Sequence, residues 1–143
     1  MNYGGIEKAY SEYETADFVV VPVPYDLTST YHSGSRRGPG AILEASANME
    51  LYDEELQMET YRRGIHTLPF IEADARGPAE MVGTVRREIA GIVADGKVPV
   101  MLGGEHSISF GAVEAVLQAF PTLTVLQFDA HADLRIDYQG SPF

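Results

Sequence analysis

Apolar runs and helical periodicities divide the chain into alternating elements. Phe18-Val19-Val20-Val21 is continuously apolar and predicts a buried strand, with Pro22 and Pro24 ending its pairing. A long polar loop leads to Pro39, which suits the first turn of a helix whose apolar face would be Ala41, Ile42, Ala45 and Met49. That helix fades at Asp53-Glu54-Glu55, a solvated face. Arg62-Arg63-Gly64 reads as a turn, and Ile65 to Ile71, interrupted by Pro69, as an edge or extended segment. Gly77-Pro78 opens a second helix. Met81, Val85, Ile89, Ile92 and Val93 recur at its spacing, and Gly96 terminates it. Val98-Pro99-Val100-Met101-Leu102 is a short strand that runs into Gly103-Gly104-Glu105-His106-Ser107. Ser107 is the N-cap type for a third helix, with Ile108, Ala112, Val113, Val116, Leu117 and Phe120 as its broad apolar face and Pro121 as its stop. Leu123 to Phe128 then predicts another buried strand. Residues 1 to 16 form a weakly patterned arm in which Tyr3, Tyr10 and Tyr13 offer packing surface.

Strand, helix, strand at this spacing is a βαβ unit with parallel strands and a right-handed crossover, so the class is α/β. Both strands of such a unit end on the same sheet edge, where open α/β sheets place their ligands. His106 follows one strand; Asp129, His131 and Asp133 follow the next. In extended backbone alternate side chains share a side, so these three would converge, with Ala130 and Ala132 between them. Carboxylates with imidazole suit Mn²⁺, Zn²⁺ or Fe²⁺. The plainer reading of the triplet alone is a polar loop with a capping aspartate. Four ligand-type side chains at one edge favour a metal site, and a carboxylate there can bridge two ions. Glu105 is either a ligand or a group that orients His106. Asp26 either lines the same pocket with Tyr25 or makes an Asx-turn. Arg36-Arg37 reads as a surface or subunit contact, and His32 and His66 carry no usable signal.

The 143 residues suffice for one domain with a core. There is no cysteine, which excludes disulfides and thiolate metal sites and fits a reducing compartment. The start lacks the pattern of a secretory signal, and no apolar run reaches bilayer length. The expected location is cytoplasmic. The formal net charge of −11 argues against nucleic acid and anionic membrane as partners and favours a cationic small substrate. Solubility alone accounts for much of that charge.

Gly103-Gly104-Glu105-His106-Ser107, taken with Phe128-Asp129-Ala130-His131-Ala132-Asp133, resembles the ureohydrolases, the arginase and agmatinase family. Val23-Pro24-Tyr25-Asp26, Gly34-Ser35-Arg36-Arg37-Gly38-Pro39, Glu50-Leu51-Tyr52-Asp53 and Gly140-Ser141-Pro142-Phe143 look more like the agmatinase branch than the arginase branch. The resemblance implies a three-layer α/β/α sandwich with a mainly parallel sheet, here incomplete, and residues 1-143 as the N-terminal half of a single ureohydrolase domain. It implies two Mn²⁺ ions. His106 and Asp133 would bind the first, His131 the second, and Asp129 would bridge both. Asp133 would also act in catalysis, accepting a hydrogen bond from the metal-bridging hydroxide that attacks a guanidinium carbon. Agmatine would give putrescine and urea, and the partner is then a small cationic guanidino substrate. A homo-oligomer, trimer or hexamer, is implied as well.

The family's second Asp-x-Asp motif and its proton-shuttling His do not occur here, so the expectation is weak metal binding and no useful turnover from these residues alone. The open strand edges should promote association. Arginase, guanidinobutyrase and formiminoglutamase share the metal motifs and remain alternatives for the substrate. A short metal-binding protein without catalysis is the alternative of another class. A deacetylase of similar fold is disfavoured by the Gly-Gly-Glu-His stretch.

Overall fold

The structure is a computed structural model that describes all residues 1–143. Its main elements are β1 (Phe18–Val23), α1 (Gly38–Ser46), β2 (Ile65–Thr67), α2 (Pro78–Ala94), β3 (Val98–Gly103) and α3 (Ile108–Ala119). The strands form one parallel sheet in the order β2-β1-β3, with Val19 opposite His66 on one side and Val21 opposite Met101 on the other. The chain thus starts at the centre, moves to one edge through α1 and crosses back through α2. With right-handed crossovers the two connections lie on opposite faces of the sheet. The loops leaving β1 and β3 therefore diverge, and the crevice between them is the switch point where α/β sheets hold ligands.

Val19, Val21, Val23 and Tyr25 pack on one face against Met81, Val85, Ile89 and Ile92 of α2 and Ile108 and Ala115 of α3. Alternation sends Val20 and Pro22 to the other face, where α1 lies against β1 and β3. This is the helix–sheet–helix layering expected of an incomplete α/β/α sandwich. Helices α2 and α3 touch through backbone: a Cβ on Gly111 would come within 2.3 Å of the Val82 carbonyl oxygen. No helix is long and apolar enough to cross a membrane.

The second helix and the edge segment at residues 65–67 match the pattern of the sequence, and α3 forms where expected but buries Ile108, Gly111 and Ala115 and leaves Leu117 and Phe120 of its expected face exposed. Other expectations need correction too. Pro22 does not end β1. It pairs opposite Leu102, and its carbonyl accepts the Ile71 N–H at 2.9 Å, so only its missing donor is lost. Helix α1 buries Pro39, Leu43 and Ser46, leaving Ile42 and Met49 exposed. The reason is Ser46. Its hydroxyl donates to the Leu43 carbonyl at 2.7 Å and accepts the Gly4 N–H at 2.8 Å, which turns a polar residue inward and rotates the helix by about one residue, roughly 100°. Ser107 does not cap α3. Its own backbone is helical, and its hydroxyl donates to Glu105 instead.

The largest correction concerns residues 123–128, which form no ladder. Phe128 is 98% exposed and Leu126 80%. An apolar cleft of about 280 Å³, lined by Pro99 and Met101 of β3, by α2 and α3, and by Leu123 to Val125, separates this segment from the sheet edge. The segment makes no ladder pairing with β3. The βαβ unit expected around α3 consequently stops at the helix.

Candidate metal centre

The turn that carries His106 is fixed by backbone contact. Gly104 passes so close to the exit of β1 that a Cβ there would lie 2.1 Å from the Tyr25 carbonyl oxygen. The Glu105 N–H donates to that same oxygen at 2.8 Å. The Glu105 side chain does not orient His106. It accepts the Thr28 N–H at 2.7 Å, the Thr28 hydroxyl, and the Ser107 hydroxyl at 2.6 Å, tying the loop after β1 to the loop after β3. Tyr25 is fully buried beneath this junction, and burial, with the Glu105 carboxylate adding to it, pushes its phenol up.

Asp26 belongs to the same brace. Its carboxylate is buried and accepts the Gly34 N–H at 2.7 Å, the Arg36 N–H at 3.3 Å and Arg36 Nε at 2.5 Å, with Arg36 Nη2 completing the ion pair. The Arg36 guanidinium and these backbone donors hold the Asp26 carboxyl down at about 2, against the opposing effect of burial. Arg36 is exposed, as the surface reading expected, and from the surface it also clamps the loop by pairing with Asp26, which does not line the cluster. His66 Nδ1–H donates to the Ser11 carbonyl at 2.9 Å and serves the N-terminal arm.

Across the crevice, His106 Nδ1 lies 2.9 Å from Asp133 Oδ2 and 3.6 Å from Asp129 Oδ2. One ligand-type atom from each of these three residues falls within 4.8 Å of the others. His131 is not in that group. Its ring is 83% exposed, and its Nδ1 sits 3.2 Å from the other Asp129 oxygen, Oδ1. The alternation expected of extended backbone fails here for a local reason. Asp129 Oδ1 accepts the His131 N–H at 2.8 Å, an Asx-type bond that curls the chain, and Asp133 adopts a left-handed φ of 47°. That same N–H holds the Asp129 carboxyl below the usual carboxylate range. Gln127, which the sequence reading passed over, spans the curl: its Nε2 donates to Asp133 Oδ2 at 3.2 Å and to the His131 carbonyl at 3.3 Å.

The donor set fits a hard-to-borderline divalent ion. Adjacent ligands of an octahedral ion with bonds of about 2.1 Å lie about 3 Å apart, close to the His106–Asp133 separation. Asp129 turns one oxygen toward His106 and the other toward His131, the arrangement a bridging carboxylate needs.

The arginase-family profile matches residues 16–143. An N(1)-aminopropylagmatine ureohydrolase of Synechocystis is 41% identical over 140 residues, which is 94% of this chain and 46% of that protein. The agmatinase of Bacillus subtilis is 34% identical across 92% of this chain and 45% of its own length. Among solved structures, the agmatine ureohydrolase of Thermoplasma volcanium superposes with a TM-score of 0.81 at 33% identity, covering 99% of this chain and 47% of that one. A putative agmatinase from Clostridium difficile gives 0.85 at 29% identity, with 92% and 48% covered. The chain spans about half the length of the curated relatives it matches.

Proposed function

The chain belongs to the arginase family, and on that premise we propose that its function is manganese-dependent hydrolysis of a guanidino compound, with agmatine as the substrate. The observation that carries this reading is the convergence of His106 Nδ1, Asp129 Oδ2 and Asp133 Oδ2 at the carboxyl edge of a parallel sheet. His106 and Asp133 would hold one ion, His131 a second, and Asp129 would stand between them with one oxygen toward each. Bound manganese would supply Lewis acidity and a water activated for attack near neutral pH.

The protein's own groups supply the rest. Carboxylates at the edge of a chain with net charge −11 attract a guanidinium cation. Asp133, steadied by Gln127, accepts a hydrogen bond from the attacking water. Water adds to the guanidinium carbon, the bond from that carbon to the alkyl nitrogen breaks, and the proton ends on the departing amine. The products are urea and, from agmatine, putrescine.

A second substrate has a specific observation in its favour. The aminopropylagmatine ureohydrolases of Synechocystis and Thermus thermophilus are 41% and 40% identical, against 34% for the agmatinase of Bacillus subtilis. Both substrates lose the same guanidino group and differ only in the tail.

The test is urea release by the Mn²⁺-loaded protein expressed from its full coding region, with agmatine, N1-aminopropylagmatine, 4-guanidinobutyrate and arginine offered separately. Agmatine should give the highest kcat/KM. Turnover of arginine without agmatine would overturn the assignment, and preference for N1-aminopropylagmatine would select the second reading. The 143 residues alone should be inactive in the same assay.

A further inference from the structure

The chain between the two clamps of the β1 loop has no role in the site described so far. Asp26 closes this loop by accepting the Gly34 N–H eight residues on, and Glu105 pins its first turn at Thr28. Residues 27–33 between these anchors stand out from the carboxyl edge of the sheet. Tyr31 lies at their tip, three residues from either anchor, and its ring is 90% exposed. Three residues of chain reach at most about 10 Å, so the tip stays within that reach of Thr28, which is bonded to Glu105, the residue before His106, on the same carboxyl edge of the sheet.

The chemistry of the loop is narrow. Leu27 to Ser33 contains no aspartate, glutamate, lysine or arginine. The nearby carboxylates of Asp26 and Glu105 are both consumed by the brace. A cationic tail that reaches this wall therefore meets an aromatic face rather than a counter-ion. His32 packs edge-on against Tyr31, with ring centroids 4.2 Å apart, and helps to hold that face.

We propose that residues 27–33 are the wall that reads the part of the substrate beyond the guanidino group, and that Tyr31 is a specificity-determining residue for an alkylammonium tail through its ring face. The inference rests on the ureohydrolase reading above and adds the element that chooses among guanidino compounds.

The test compares wild type, Tyr31→Ala and Tyr31→Phe in the Mn²⁺-loaded protein from the full coding region. Substrates are agmatine, methylguanidine, which has no ammonium tail, and 4-guanidinobutyrate, whose tail is anionic. Calorimetric binding of putrescine gives a readout without turnover. Tyr31→Ala should lower the agmatine-to-methylguanidine ratio of kcat/KM about two- to ten-fold, through KM rather than kcat, and weaken putrescine by a similar factor. Tyr31→Phe should keep the ratio. The agmatine-to-guanidinobutyrate ratio should fall with Tyr31→Ala as well. An unchanged ratio in Tyr31→Ala, or equal losses on all three substrates, overturns the role of Tyr31 while the ureohydrolase reading stands. Loss in Tyr31→Phe equal to that in Tyr31→Ala overturns the ring-face mechanism. A wild type that releases urea from none of them overturns both.

Discussion

The loops that leave β1 and β3 are bound to each other through backbone and Glu105, and Asp26 closes the first of them on itself, whereas the stretch after α3, which carries Asp129, His131 and Asp133, is held mainly by bonds within itself. His106 thus stands on a braced turn, and its prospective partners stand on an exposed curl. Asp129 and Asp133 still face His106, because the Asx-type bond and Gln127 shape the curl locally. Placement of ligands and burial of ligands are separate achievements here. A metal ion would couple the two regions directly, since its free energy of binding would be added to whatever conformation brings them together.

The comparison breaks most sharply if the braced half is forced apart. Gly104→Val places a side chain where even a Cβ meets the Tyr25 carbonyl at 2.1 Å, with backbone rather than a flexible tip as the obstacle. Overpacking of this kind costs about 1–3 kcal/mol, and this contact belongs at the upper end. Urea denaturation of the variant should show that loss. A variant as stable as wild type would mean that the two loops are not pressed together.

A smaller effect should come from the clamp at Asp26. Its carboxyl sits at about 2 in the folded chain, below the roughly 3.9 of an unfolded aspartate. Its contribution to stability is therefore complete above about pH 4 and is lost as pH falls toward about 2. Asp26→Asn should lower stability at neutral pH and flatten its decline between those values. Asp74, held at about 2 by Arg76, titrates in the same window and leaves a residual slope. The measurement is unfolding free energy against pH, and an unaltered slope would remove Asp26 from the brace.

The legible parts of this architecture are those set by local periodicity. Met81, Val85, Ile89 and Ile92 define the buried face of α2 from spacing alone, and all four are in the core. Where a polar residue joins the buried face, spacing misleads: Ser46 is inward because Gly4, far away in sequence, needs an acceptor. Pro22 misleads in the opposite sense, since loss of one donor does not end a strand whose carbonyl and side chain are still used. The run 123–128 has the composition of a buried strand, but burial depends on what lies beside it, and here a cleft does. At the candidate site, residue types pick out His106, Asp129 and Asp133, and the three come together although the βαβ unit expected to place them does not form. His131 diverges because an aspartate two residues before a backbone N–H can curl the chain, a choice that extended-strand alternation ignores. The Asp26–Arg36 clamp and the Gln127 bridge leave no periodic trace, although an aspartate at a strand exit and an amide two residues before the triplet are the signals that would have pointed to them.

Gln127 sharpens the comparison on its exposed side. Removing its amide leaves Asp133 Oδ2 with His106 as its remaining partner and frees the curl at the His131 carbonyl. Groups that orient metal ligands typically contribute 10–100-fold to affinity, and an exposed bond of 3.2 Å belongs at the lower end. Gln127→Ala should weaken Mn²⁺ about ten-fold in a titration followed by electron paramagnetic resonance, with little change in folding. An unchanged dissociation constant would show that His106 alone orients Asp133.

The smallest effect is expected at Phe128, and it tests the contrast from the other end. Its ring is 98% exposed although it sits directly before Asp129. Substitutions at sites without packing usually change stability by no more than about 0.5 kcal/mol, so Phe128→Ser in the 143-residue chain should leave the unfolding curve almost where it was. What should move is association. Leu126, Phe128, Leu134 and Ile136 leave a set of large apolar side chains in water, and such patches draw copies together. Sedimentation at rising concentration should show less self-association in the serine variant. If Phe128→Ser instead costs more than about 1 kcal/mol, the ring is packed in solution. The run after α3 would then belong to the braced half of the molecule, and the distinction between a fixed turn and a free curl would have to be given up.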